Sequence, residues 1–166
     1  RLVGWEGHPL NASLRALLTR ALAPSSLSEQ LTTPFIVAPA WLGTVWLVAV
    51  VVVAVIAVRT IVVSRSTDIA WATLTLTALL VSPLGWVHYL PIATGPLVAV
   101  ILAGRSAGLR LAAIGVALLC VPFAWLKATA YGPVLTLTIV SCYTWGAVFL
   151  FASISSNVPN TPSATV

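Results

Sequence analysis

The sequence predicts an all-α protein, a polytopic bundle of about five transmembrane helices preceded by an outer interfacial helix. Three observations predict it. Hydrophobic residues make up 60% of the 166 and charged residues only 7%, where a soluble domain carries about a quarter charged. The mean hydropathy is +1.07. Apolar runs also recur along the chain, separated by short connections that hold most of the Lys and Arg, which is the layout of spans and loops.

The elements follow in order. Residues 1–40 read as an extracytoplasmic segment, and Asn11 to Leu22 within it as a capped amphipathic helix. Leu14, Leu17, Leu18, Ala21 and Leu22 recur at the i, i+3, i+4, i+7, i+8 spacing of one helical face. Arg15, Thr19 and Arg20 take the other face. Asn11 or Ser13 can cap the start, and Pro24 stops the end. A helix of about ten residues is too short to span and suits lying in the interface, its arginines toward phosphates. The competing reading is a loop helix packed on the bundle with no ligand.

Residues 41–152 form the transmembrane bundle, with apolar segments from Trp41 to Val58, Ile69 to Leu84, Tyr89 to Ala103, Leu109 to Trp125 and Pro133 to Ala152. A span needs about 20 residues. The second and third segments are short, so the turn between them is expected to sit recessed at head-group depth. Pro91, Pro96 and Pro122 are expected to kink their helices. Thr73, Thr75, Thr77, Thr136, Thr138 and Ser141 read as helix-packing residues. Arg59, Arg65, Arg105 and Arg110 follow the first and third spans, whereas only Lys127 follows the second or fourth. The excess places the arginine loops in the cytoplasm. Residues 1–40 and the turn before Tyr89 then face outward from a plasma membrane. Trp41, Trp86, Tyr89, Trp125 and Tyr131 fall at the outer ends, as an aromatic belt would. Residues 153–166, rich in Ser, Asn, Pro and Thr, are expected to be a disordered polar tail.

Several classes are excluded or disfavoured. The net charge is +5, with the basic residues scattered singly. That suits topology signals and anionic head groups. A nucleic-acid partner would require a clustered basic face, and there is none. Cys120 and Cys142 fall inside apolar segments and read as inert thiols, with neither a disulfide framework nor a metal site. The chain has no methionine and opens Arg1-Leu2-Val3-Gly4, so it is expected to be the C-terminal part of something longer.

The most informative stretch runs from Leu79 to Pro91. It breaks a hydrophobic run with Pro83, Gly85, Trp86, His88 and Tyr89. Polar groups at a bilayer edge are costly, so such a cluster is a site hypothesis by default. An imidazole at His88 can donate to a phosphate oxygen; its plain structural role would be to cap a broken helix end. Trp86 and Tyr89 offer rings for stacking on a sugar or prenyl surface. Arg15 and Arg20 offer bidentate forks for phosphate. His8, beside Pro9, reads as a loop histidine.

Two segments also carry a resemblance. Asn11-Ala12-Ser13-Leu14, followed by Leu18 and Arg20, and Ser82-Pro83-Leu84-Gly85-Trp86-Val87-His88-Tyr89, followed by Pro96, together resemble the polyprenol-phosphate-sugar-dependent enzymes of glycosyltransferase family 87. Gly85 replaces the usual serine, and Tyr89 stands where many members have a second histidine. The resemblance implies the C-terminal part of a membrane-bound GT-C fold. It implies transfer of mannose, or a related sugar such as arabinose, from a polyprenyl-phosphate donor to a glycolipid or polysaccharide acceptor on the outer face. His88, Tyr89, Trp86, Asn11, Ser13, Arg15 and Arg20 are then the expected substrate-binding residues. The family's general base is an acidic residue of the first outer loop, expected upstream of Arg1. Glu6 and Glu29 are not at the matching place, so no catalytic residue is assigned, and no metal or cofactor is expected. A transporter is the less favoured reading, because the Ser82 to Tyr89 pattern is not repeated and no Asp or Glu lies within a span to serve as a carboxylate proton relay. A non-catalytic membrane scaffold is the other alternative.

Overall fold

The computed structural model describes residues 7–23, 35–88, 91, 94–95, 98, 106–126 and 132–156. Among them, the regular elements are all helical. They are α1 (Leu14–Leu22), α2 (Leu42–Ser64, entered through a 3-10 turn at Pro39–Trp41), α3 (Thr67–Val81), α4 (Ser106–Leu119), α5 (Phe123–Leu126), α6 (Pro133–Leu135) and α7 (Cys142–Ser156). A π-helical turn, Thr136–Val140, links α6 to α7.

Local chemistry sets the ends. The Ser13 hydroxyl accepts the Ala16 N–H at 3.1 Å and starts α1, as an N-cap should. Arg65 closes α2 in the left-handed region, at φ 50°, a common way to end a helix. Ser66 then caps α3 by accepting the Ile69 N–H, with Asp68 in the first turn, where a negative charge suits the helix dipole. Pro83, two residues beyond Val81, bars α3 from continuing.

These breaks correct the expectation of five spans. Among the described residues one helix, Pro39–Ser64 with 26 residues, is long and apolar enough to cross a membrane. A second exists only if Pro133–Val140 and Cys142–Ser156, bent by 53°, count as one span. The 15 residues of α3 rise about 22 Å, against a hydrocarbon core of about 30 Å. Proline stops α3, α4 ends at Leu119 before Pro122, and the fifth segment turns sharply at Ser141. Apolar composition registers none of these breaks. The expected segment from Tyr89 to Ala103 lies almost wholly outside the described residues. Ser153 to Ser156, placed in the polar tail by composition, complete α7; residues 157–166 lie outside the description.

The core forms where α7 packs on α4 and α3. Ala72, Leu76, Leu80, Ala147, Leu150 and Phe151 are buried there together with Ala57 of α2. Gly115 and Gly146 set the α4–α7 approach. A Cβ on Gly146 would meet Leu119 Cδ2 at 2.7 Å and the Gly115 carbonyl at 2.9 Å, so the two backbones nearly touch, as small residues permit.

Helix α2 folds back into α3 through Arg65 and Ser66, but the two differ in length. The 23 residues of α2 rise about 34 Å, roughly 12 Å more than α3. Helix α1 lies beside the part of α2 that α3 does not reach, with the Arg15 guanidinium 5.1 Å from the centroid of the Trp46 ring. Its orientation reverses the expectation. Ala16, Thr19 and Arg20 are buried, whereas Leu17, Leu18 and Leu22 stay partly exposed. The polar face of α1 points into the protein.

Candidate functional site

Asn11 organises the site. Its side chain is fully buried, at 0% exposure. The Oδ1 atom accepts N–H groups from Gly85 at 3.0 Å and Ser13 at 3.2 Å, while Nδ2 donates to the Pro83 carbonyl at 3.0 Å. Backbone bonds reinforce the clasp: Ala12 N–H donates to Gly85 O at 2.7 Å, and Val87 N–H to Leu10 O at 3.0 Å. Asn11 and Trp86 thus face each other as a single antiparallel bridge. Two segments more than seventy residues apart in sequence become one surface.

Gly85 is what allows the close approach. A Cβ there would collide with the Leu79 carbonyl oxygen and come within 3.2 Å of Ser13 Cβ. Ser82 shapes the same turn by accepting the Leu84 N–H at 3.2 Å. The serine usual at position 85 in the resembling family has no room in this packing.

Behind the clasp lies a buried polar network centred on Arg20, which is 3% exposed. Its Nε–H donates to Ser141 Oγ at 2.9 Å and its Nη2 group to Thr144 Oγ1 at 3.0 Å. The Nη1 group donates to the carbonyls of His8 at 3.0 Å and Asn11 at 3.4 Å. Ser141 in turn donates to the Thr136 carbonyl at 2.9 Å, within the π-helical turn. Burial lowers the Arg20 pKa to about 10, partly offset by nearby Cys142, so the guanidinium stays charged at neutral pH. Every acceptor named here is neutral. Arg20 ties α1 to the broken junction before α7, and its fork is committed to protein atoms.

In front of the clasp is a ring cluster. The His8 ring centroid lies 5.6 Å from Trp86 and 5.8 Å from Phe123. Trp86 and His88 stack at 6.3 Å with 17° between their planes. His88 is exposed, and Trp86 and His8 are partly buried.

The expected site residues therefore separate by role. Asn11, Ser13, Trp86 and His88 come together, with Asn11 and Ser13 spent on internal bonds and Trp86 and His88 at the surface. Arg20 lies behind them. Arg15 sits to one side, over Trp46. Tyr89 lies outside the described residues. Sequence reasoning missed His8, Phe123 and Thr144, and it read Ser141 as ordinary helix packing. His8 carried one available signal, being one of only two histidines in the chain. No family model matches the chain, and neither a curated protein nor a solved structure matches it.

Proposed function

We propose that this chain belongs to a membrane glycosyltransferase of the GT-C type, one that moves mannose or a related sugar from a polyprenyl-phosphate donor to a glycolipid or polysaccharide acceptor. The carrying observation is the Asn11 clasp. It joins the two sequence segments on which the resemblance rests, through bonds of Asn11 to Pro83 and Gly85, and leaves Trp86 and His88 at the rim. Two segments of one site should be adjacent, and a scaffold has no need of an exposed stacked imidazole beside them.

The distribution of polarity supports a lipid setting. Val48, Val51, Val52, Val55, Val58 and Val62 of α2 are exposed, while Asn11, Arg20, Thr73, Thr136, Ser141 and Thr144 are buried. Water would drive the reverse arrangement. Val-rich helices also have mediocre intrinsic propensity, but hydrocarbon forces backbone groups to bond internally and so favours a helix.

In the proposed reaction the acceptor hydroxyl oxygen bonds to the anomeric carbon as its bond to the carrier phosphate breaks. The phosphate leaves with both electrons of that bond, and the hydroxyl proton passes to a base. His88 donates a hydrogen bond to the departing oxyanion, a contact that strengthens as charge develops. Trp86 holds the sugar face. The base is not assigned to any residue described above.

Transfer of radiolabelled sugar from polyprenyl-phosphate donors by membranes containing the complete protein tests the proposal. His88→Ala should lower transfer at least about 100-fold, the scale of removing a transition-state donor, with expression and thermal stability unchanged because the side chain is exposed. Normal transfer in that variant removes His88 from the mechanism. No transfer with any polyprenyl-linked sugar leaves the scaffold reading.

A further inference from the structure

The helical segment from Pro133 to Ser156 is broken where its own sequence holds no breaking residue. Its two parts, Pro133–Val140 and Cys142–Ser156, meet at 53°. Sharp kinks arise at proline, at glycine–serine pairs, at a π turn, or where a side chain inserts into the backbone ladder. Residues 134–145 contain neither proline nor glycine. The π turn at Thr136–Val140 is the form the break takes, and the inserted side chain is Arg20.

The bonds at the break show what each group contributes. In a continuous α-helix the Leu137 carbonyl would take the Ser141 N–H, four residues on. Here the Ser141 N–H turns to the Ile139 carbonyl, and the Leu137 carbonyl accepts the Trp145 indole N–H at 2.6 Å instead. The Ser141 hydroxyl donates to the Thr136 carbonyl at 2.9 Å, five residues back, the reach of a π turn. That same hydroxyl accepts from Arg20 Nε, and Thr144 Oγ1 accepts from Nη2. Of these bonds, only those of Arg20 come from another element. The guanidinium is held from the far side by the His8 and Asn11 carbonyls, and Asn11 in turn by Pro83 and Gly85. A buried guanidinium must find acceptors, and the break supplies two of them.

Length argues for a second state. Bent, the 15 residues of α7 rise about 22 Å; straightened, residues 133–156 would rise about 36 Å, enough to cross a hydrocarbon core of about 30 Å. Lipid favours the continuous helix, in which every backbone bond is internal. We propose that α1 is a latch that keeps this segment bent through Arg20, and that release of Arg20 lets residues 133–156 become one transmembrane helix. Arg20 is thus a positioning residue for the break, and Asn11 couples the break to the turn that carries Trp86. The latch is independent of the chemistry proposed for Trp86 and His88.

The test is a pair of spin-label distances in the full-length protein in nanodiscs. One label sits at Val134→Cys beside the break, the other at Val48→Cys on α2 or, in a second sample, at Ile114→Cys on α4. All three positions are exposed. A Cys120→Ser background leaves only the buried Cys142. Straightening swings the Pro133 end by about 10 Å, so Arg20→Gln should shift at least one distance by several ångströms. Its Trp145 indole proton, assigned with Trp145→Phe, should also lose its hydrogen-bonded chemical shift. Unchanged distances, or an indole that keeps its bonded shift, overturn the latch. Should Arg20→Gln fail to fold, Arg20→Lys decides. It keeps the charge but not the fork, and must show a second distance population; the wild-type distance alone overturns the latch. Trp145→Phe should keep the wild-type distances, and straightening there would mean that the indole rather than Arg20 holds the break. A straightened segment in Arg20→Gln supports the latch whether or not the protein transfers sugar.

Discussion

Asn11 and Gly85 are two halves of one contact. The carboxamide is the smallest group that can accept two N–H bonds and donate a third from one buried position. Asn11→Ala strands the Gly85 N–H and the Pro83 carbonyl in the interior, and should destabilise the protein by about 3 kcal/mol. Thermal unfolding in detergent reads this directly, and an unchanged midpoint would show that the clasp contributes little. Gly85→Ser should cost about 1–3 kcal/mol, the usual range for overpacking, because its Cβ meets the Leu79 carbonyl. A variant as stable as the wild type would mean that the turn can shift. Both residues were visible in the sequence as parts of suspicious segments. Their partnership was not, because nothing in a linear chain says that an asparagine bonds to a backbone more than seventy residues away. His8 was read only as a loop histidine for a similar reason: its setting lies in the rings around it.

The elements were legible where the signal is local. The spacing of leucines, the Ser13 cap and the positions of the prolines all act within a turn or two, and α1 begins as the cap predicts. The facing of α1 was misread because periodicity reveals two unlike faces without saying which one the protein interior takes. In water the leucine face turns inward. Here the interior offers Ser141 and Thr144 to Arg20, and the leucines are left half-buried, Leu14 against the core. Among the described residues fewer helices qualify as spans than the sequence predicts, because hydropathy averages across a proline or a bend. Close helix approach makes its own prediction. Gly146→Leu should part α4 from α7 and cost about 3 kcal/mol or more, through overpacking and loss of the core beneath. Gly43→Ala, with nothing within 4 Å of its new Cβ, should be neutral or stabilise α2 by up to about 1 kcal/mol. Equal effects of the two in thermal unfolding would deny any special role to the Gly115–Gly146 contact.

At the scale of the molecule, the mismatch between α2 and α3 decides where the site lies. If α2 crosses the bilayer, a partner roughly 12 Å shorter must end inside the far head-group region rather than beyond it. The Asn11 clasp and the ring cluster then lie at the depth where a lipid-linked phosphate resides, and α1 fills the space left beside α2. In the proposed topology Arg59 and Arg65, near the other end of α2, face the cytoplasm. Thiol labelling of whole cells tests the arrangement, in a Cys120→Ser background because Cys120 is exposed and Cys142 is not. A membrane-impermeant maleimide should label His88→Cys in intact cells and Arg65→Cys only after permeabilisation. The opposite pattern would put the ring cluster in the cytoplasm, away from an outward-facing acceptor. Labelling of both in intact cells would mean that the α2–α3 hairpin does not cross the membrane, and the lipid-phosphate site would lose its physical basis.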